Sequence, residues 1–208
     1  MAYPKHLLAA LVALCALPAS GQAATLLNEN FNELTPMLSA TSVGAFSAID
    51  GTNVDIVGGA LFGSLCVAPA SGNCIDMDGT GGNPQGILRS NSAFTLQPGV
   101  NYYLSFDLLG SQRGITASTT VTFGPYDNKF TLTSPSGTVV DALVTVGKTT
   151  TTYLTFASNT PGDVGNLLDN VLITSRPATS VPEPATLSLM ALGLAGAGFA
   201  RARRKRRG

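Results

Sequence analysis

The sequence predicts an all-β domain, a two-sheet antiparallel sandwich of the jelly-roll kind, flanked by an N-terminal signal helix and a C-terminal single transmembrane helix. Three observations carry this. Apolar residues alternate with period two through the middle of the chain, turn residues interrupt that pattern at short intervals, and no segment there holds a sustained helical stripe. A length of 208 residues suits one domain with appendages. The divisions expected are 1–23 for the signal peptide, 24–176 for the sandwich, 177–181 for a linker and 182–207 for a C-terminal signal.

At the N-terminus, Lys5 and His6 precede an apolar run from Leu7 to Leu17, and Gly21-Gln22-Ala23 supplies small residues for cleavage after Ala23. That is the three-part pattern of a secretory signal. Pro18 and Gly21 end the run where a signal peptidase needs extended chain, which disfavours a buried helix. The mature protein is therefore expected outside the cytoplasm.

In the middle, Tyr102, Leu104, Phe106 and Leu108 alternate with polar or smaller neighbours, as do Val121 and Phe123, Leu154 and Phe156, and Val171 and Ile173. Abundant threonine fits half-exposed antiparallel sheet. Turns are expected at 58–59, 70–73, 81–84, 97–99, 125–128 and 134–137, where glycine, proline, asparagine and serine cluster. Gly (23) and Pro (12) stay below the level of low-complexity disorder.

The C-terminus reads Val181-Pro182-Glu183-Pro184, then an apolar run over 185–200, then Arg201, Arg203, Arg204, Lys205, Arg206 and Arg207. Sixteen residues make about 24 Å of helix, short of a roughly 30 Å hydrocarbon core, and the arginine stems can snorkel across the difference. Glycines at 193, 196 and 198 suit a membrane span better than a soluble helix. The positive-inside rule places the basic cluster, a membrane stop, in the cytoplasm and the acidic domain outside. This C-terminal segment resembles the PEP-CTERM sorting signal of exopolysaccharide-producing Gram-negative bacteria. The resemblance implies that Pro182, Glu183 and Pro184 are the recognition element for an exosortase, a membrane transpeptidase. It also implies that the span is a temporary inner-membrane anchor, removed when the protein passes to the cell surface or extracellular matrix.

The sandwich ends carry a second resemblance. Leu26 to Asn32 and Leu167 to Val171 are similar to the first and last strands of galactose-binding-like jelly rolls, including carbohydrate-binding modules. In that fold an acid after the first-strand Phe and an Asp opening the last strand help hold a structural calcium, which implies Asp169 as a ligand. Asn32 stands where the first acid is expected, followed by Glu33. Asp169-Asn170 satisfying backbone groups at a strand entry is an equal alternative.

Chemistry is bounded by what remains after signal cleavage. The single histidine is His6, so Ser-His-Asp and Cys-His catalysis and His-ligated zinc are excluded from the mature chain. A carboxylate-only glycosidase stays formally open, with no acid pair in a favouring context, and the protein is expected not to be an enzyme. Cys15 leaves with the signal, and Cys66 and Cys74 should be joined in an oxidising compartment. Asp76, Asp78 and Thr80 alternate as in a calcium loop with Gly81 in sixth place. The twelfth position is Ile87 rather than Glu, and a strand-ending Asp followed by a glycine turn is the favoured reading. Gln112 and Arg113, between glycines after the strongest strand, could hydrogen-bond a sugar or carboxylate, but a solvated hairpin tip is the favoured reading. Tyr102, Tyr103, Tyr126 and Tyr153 are the available aromatic platforms, since Trp is absent.

The formal net charge is zero, which argues against nucleic acid as a partner, and this balance conceals a net −6 from Ala24 to Ser180. The expected function is that of an exported surface or exopolysaccharide-matrix protein, structural or adhesive in biofilm or floc. The alternative is a calcium-assisted, lectin-like carbohydrate-binding module.

Overall fold

The computed structural model describes residues 23–81 and 85–178. The signal peptide, the Pro182-Glu183-Pro184 motif, the apolar run and the basic cluster from Arg201 to Arg207 lie outside the described residues, apart from Ala23. Among the described residues no helix is long and apolar enough to cross a membrane.

The period-two patterning yields strands throughout. They are β1 (Ala24–Glu29), β2 (Met37–Ala40), β3 (Ser42–Val43), β4 (Phe46–Ala48), β5 (Val54–Val57), β6 (Cys74–Asp76), β7 (Ile87–Ser90) and β8 (Phe94–Leu96). Then come β9 (Val100–Leu109), β10 (Thr116–Phe123), β11 (Tyr126–Thr133), β12 (Gly137–Val144), β13 (Thr150–Thr152), β14 (Thr155–Ser158) and β15 (Leu167–Pro177). One sheet has the order β12-β9-β15-β6-β5-β2, with β1 also on β15, and a second has the order β11-β10-β14-β7-β4-β3. A small ribbon pairs β13 with β8.

The apolar positions that alternate in the sequence meet between the sheets. Leu104 and Phe106 of β9, Val121 and Phe123 of β10, Phe156 of β14, and Val171 and Ile173 of β15 are fully buried in one cluster. Phe106 and Phe156 cross the gap edge to face, with centroids 5.2 Å apart and planes at 87°, the arrangement favoured by the ring quadrupoles. Phe46 packs against Phe156 and Phe31 against Phe46, so aromatic contacts run along the core.

Two local expectations are corrected. Residues 125–128 are not a four-residue turn: β11 begins at Tyr126, and only Gly124 and Pro125 separate it from β10. The first strand ends at Glu29, where the Glu29 carboxylate accepts the N–H groups of Phe31 and Ala45. A local carboxylate thus replaces ladder partners and turns the chain out of the sheet.

Cys66 and Cys74 are joined, Cα to Cα 5.7 Å. Their loop lies over the outer side of the first sheet. There Val57, Ala70, Cys74, Leu109 and Leu167 form a second buried cluster with Leu65 and Cys66 against it. This explains why Leu109, on the face of β9 opposite the main core, is nonetheless fully buried. Closing a nine-residue loop should stabilise by about 2.5 kcal/mol in the chain-entropy model. Reduction is expected to lower the melting temperature accordingly. An unchanged melt of fully reduced protein, with both thiols titrated, would rule out that contribution.

Candidate functional site

The sequence drew attention to Asp76 and Asp78, and the structure buries both at 1% exposure. Asp76 ends β6, opposite Asp55 of β5 and Leu167 of β15. Its Oδ1 accepts the N–H of Asp78 at 3.2 Å and of Gly165 at 2.9 Å, and its Oδ2 pairs with the Arg113 guanidinium. Arg113 also donates to the carbonyl of Asp163 at 3.4 Å. Asp78 accepts from the Ser158 hydroxyl at 2.8 Å and the Gly86 N–H at 3.2 Å. Gly165 makes the approach possible, because a Cβ there would lie 2.7 Å from the Asp78 nitrogen and 3.0 Å from Asp76 Oδ1.

The sequence spacing brings Asp76 and Asp78 together but gives no sign of Ser158, the interior partner of Asp78. Thr119 and Ser158 occupy inward positions of β10 and β14 that alternation alone marks as apolar, and they are register neighbours. Asn166 donates to Thr119 at 3.1 Å. One end of the sandwich interior is therefore polar.

Gln112 and Arg113 are both engaged with the protein itself. Gln112 adopts φ 57° and donates to the carbonyls of Gly110 and Pro135 at 3.0 and 3.2 Å, tying the β9–β10 loop to the β11–β12 turn. Asp169 belongs to a separate set of contacts. Its carboxylate accepts the N–H of Ser71 at 3.0 Å and of Asn170 at 2.7 Å, while Asn170 donates to Asp107 at 2.6 Å. Asn32 Oδ1 accepts the N–H of Asn73 at 2.8 Å. The oxygens that a jelly-roll calcium would use at Asp169 thus have N–H donors. Among the described residues no group of three His, Cys, Asp or Glu side chains is placed to hold a metal ion.

Burial drives the Asp76 carboxyl up to about 7 despite the opposing pull of Arg113 and two N–H donors. It drives Asp169 up to about 6 against the Ser71 and Asn170 N–H groups, with Asp107 adding to the rise. A carboxyl raised on folding binds its proton more tightly in the native state than at the ordinary 3.8 of the unfolded chain. Folding stability is then greatest below that ordinary value and falls as pH rises through about 6 to 7. Melting temperature is expected to increase on acidification from pH 8 to pH 5. Asp76→Asn should flatten the dependence, and a steeper or unchanged profile in that variant would contradict the assignment.

On the second sheet, register aligns a row that no sequence spacing marks. Asp127, Thr122, Thr155, Arg89, Ser47 and Ser42 lie directly opposite one another across six successive strands. Their chain neighbours Phe123, Phe156, Leu88 and Phe46 face the core, so the row lies on the outer face. At about 4.8 Å per strand it spans roughly 24 Å. Arg89 lies 4.7 Å over the ring of Tyr153, which is 39% exposed. Of the other tyrosines, Tyr103 is covered by Arg176 at 4.4 Å. Tyr102 is buried, with its hydroxyl accepting the N–H of Gln97 at 2.8 Å, and Tyr126 lines a cleft with Leu143 and Val144.

Residues 180–205 match the family model of the PEP-CTERM protein-sorting motif. The chain therefore carries the signal of an exported, surface-directed protein. Curated proteins give no match. Solved structures similar to the chain include the CBM22-1 xylan-binding domain of Xyn10C from Paenibacillus barcinonensis, at 14% identity and TM-score 0.49, covering 77% of this chain and all (100%) of that one. The K1 cleaved adhesin domain of Lys-gingipain from Porphyromonas gingivalis W83 is similar at 14% identity and TM-score 0.49, over 74% of this chain and 98% of that one. An arabinose-bound GH51 α-L-arabinofuranosidase reaches TM-score 0.52 at 12% identity, over 74% of this chain but 27% of that one. At these identities the likeness is one of fold alone.

Proposed function

We propose that the protein is an exported surface or exopolysaccharide-matrix protein with a structural or adhesive, non-catalytic role. An exosortase-like membrane transpeptidase processes it after a transient stay in the inner membrane. The PEP-CTERM match at 180–205 carries this reading. Its chemistry is that of presentation: proline on both sides of Glu183 disfavours helix, which suits the extended form a protease cleft binds, and the positive-inside rule would keep the basic residues after the apolar run in the cytoplasm. The sandwich is the delivered cargo. Its buried carboxylates support a non-catalytic role, because Asp76, Asp78 and Asp169 are each held by internal donors.

A second reading, a carbohydrate-binding module of the matrix, is favoured by the row from Asp127 to Ser42. Four hydroxyls with a guanidinium among them and a carboxylate at one end, over roughly 24 Å, suit the hydrogen-bonding demand of an extended oligosaccharide. Calcium belongs to this reading. Bound at Asp169 it would replace the Ser71 and Asn170 donors, and at Asp76 and Asp78 it would have to displace Arg113. Gln112 and Arg113 would contact glycan only after leaving their present partners.

A glycan array probed with the surface-released protein, with calcium and with EDTA, separates the two. No retained glycan, together with loss of cell cohesion when the protein is deleted, supports the structural role. Specific binding that Arg89→Ala abolishes without changing the melting temperature supports the module, and EDTA sensitivity would add calcium to it. Turnover of matrix polysaccharide would overturn both.

A further inference from the structure

The two sheets do not guard their edges equally. On one side of the sandwich the edge strands are short or irregular: β3 has two residues, and the pairing of β2 with β5 slips between Met37 and Ala40. These are the devices by which sheets discourage pairing with another chain. On the other side the edges are β11 and β12, each eight residues long and paired inward without a register shift. Neither contains proline.

These two free edges face each other level by level. Phe130 of β11 packs edge to face on Phe106 of β9 at 5.7 Å, and Phe106 is the register partner of Val140 in β12. At one end Tyr126 and Val144 line the same cleft, of about 260 Å³. At the other, Ser136 donates to the Thr133 carbonyl at 2.7 Å just before β12 begins. The strands therefore run in opposite directions at matched heights. Phe130, Leu132, Val140 and Ala142 pack against the core yet are only half-buried, whereas core residues of the inner strands are sealed.

We propose that this open side is a self-association surface whose occupant is a second copy of the same chain. A two-fold axis parallel to the strands sets β12 of one copy beside β11 of the other, antiparallel, and β11 beside β12 of the other in the same operation. The interface is self-complementary and closed. The matched heights fix the register, with Tyr126 opposite Val144, Phe130 opposite Val140 and Thr131 opposite Val139. Lys129, the basic residue of β11, then meets Asp141, the acid of β12, on the outer face. Both are exposed in one copy, and the symmetry makes the pair twice. Val139 and Leu143, 55% and 58% exposed, gain cross-strand neighbours. This inference rests on the sandwich alone and stands or falls separately from any glycan reading.

The test is disulfide capture in the full-length chain, exported by its own host. In Thr131→Cys/Val139→Cys the two cysteines of one copy point away from each other on sheets roughly 10 Å apart and cannot join. In the pair they lie directly opposite, within disulfide range. The expected result is a covalent dimer on a non-reducing gel. The control Asp127→Cys/Val139→Cys, offset by four residues, should give none. Absence of dimer, equal dimer in both variants, or a ladder of larger species would each overturn the proposal.

A second measurement needs no new cysteine. Lys129→Glu should weaken self-association about tenfold by placing like charges opposite one another, and Lys129→Glu/Asp141→Lys should restore it. Failure of the double reversal to restore it would count against this register.

Discussion

Replacing Arg113 with alanine is expected to lower the unfolding free energy by about 2 to 3 kcal/mol at pH 8 and by less than about 1 kcal/mol at pH 5. The difference comes from what is left behind. Asp76 is buried beside Asp55, and without the guanidinium its charge keeps only the N–H groups of Asp78 and Gly165. At pH 8 the carboxyl must ionise there or hold its proton at a cost. At pH 5 it is already protonated, since burial drives it up to about 7, and the partner matters little. Urea denaturation at the two pH values measures this. Equal losses at both would show that Arg113 acts through packing rather than charge. Adding Asp76→Asn to Arg113→Ala should recover most of the pH 8 loss, because no charge then needs a partner.

Replacing Pro182, Glu183 and Pro184 together by alanine is expected to leave the protein in the inner membrane, with release to the surface abolished. Alanine favours helix where proline disfavours it, and the change removes Glu183, the last acidic residue of the sequence. Fractionation of the host followed by immunoblotting reads the outcome. Normal release of this variant would contradict the sorting claim while leaving the sandwich description untouched. Intact mass of the released wild-type protein would then locate both cleavage points.

The parts of the fold legible in the sequence are those where one face is core and the other solvent. In β9, β10, β14 and β15 the inward positions are apolar with few exceptions, and the alternation could be read directly. β11 escaped because its inward face is only half-buried at the edge. Pro125, Tyr126, Asp127 and Asn128 in succession look like a turn when so weakly buried a face enforces little alternation. The acid cluster was half legible. The Asp-x-Asp spacing at 76 and 78 is visible, but the partner of Asp76 lies 37 positions away, and an arginine between glycines reads as a surface contact until its guanidinium is placed. The polar row on the second sheet was not legible at all. Its members come from six strands, and only register brings them into line.

The strap closed by Cys66 and Cys74 ties the timing of maturation to geography. Where reductants keep thiols apart, the small apolar layer beneath that strap lacks its fastener. In an oxidising compartment the bond locks the layer down, and there the molecule is hardest to unravel.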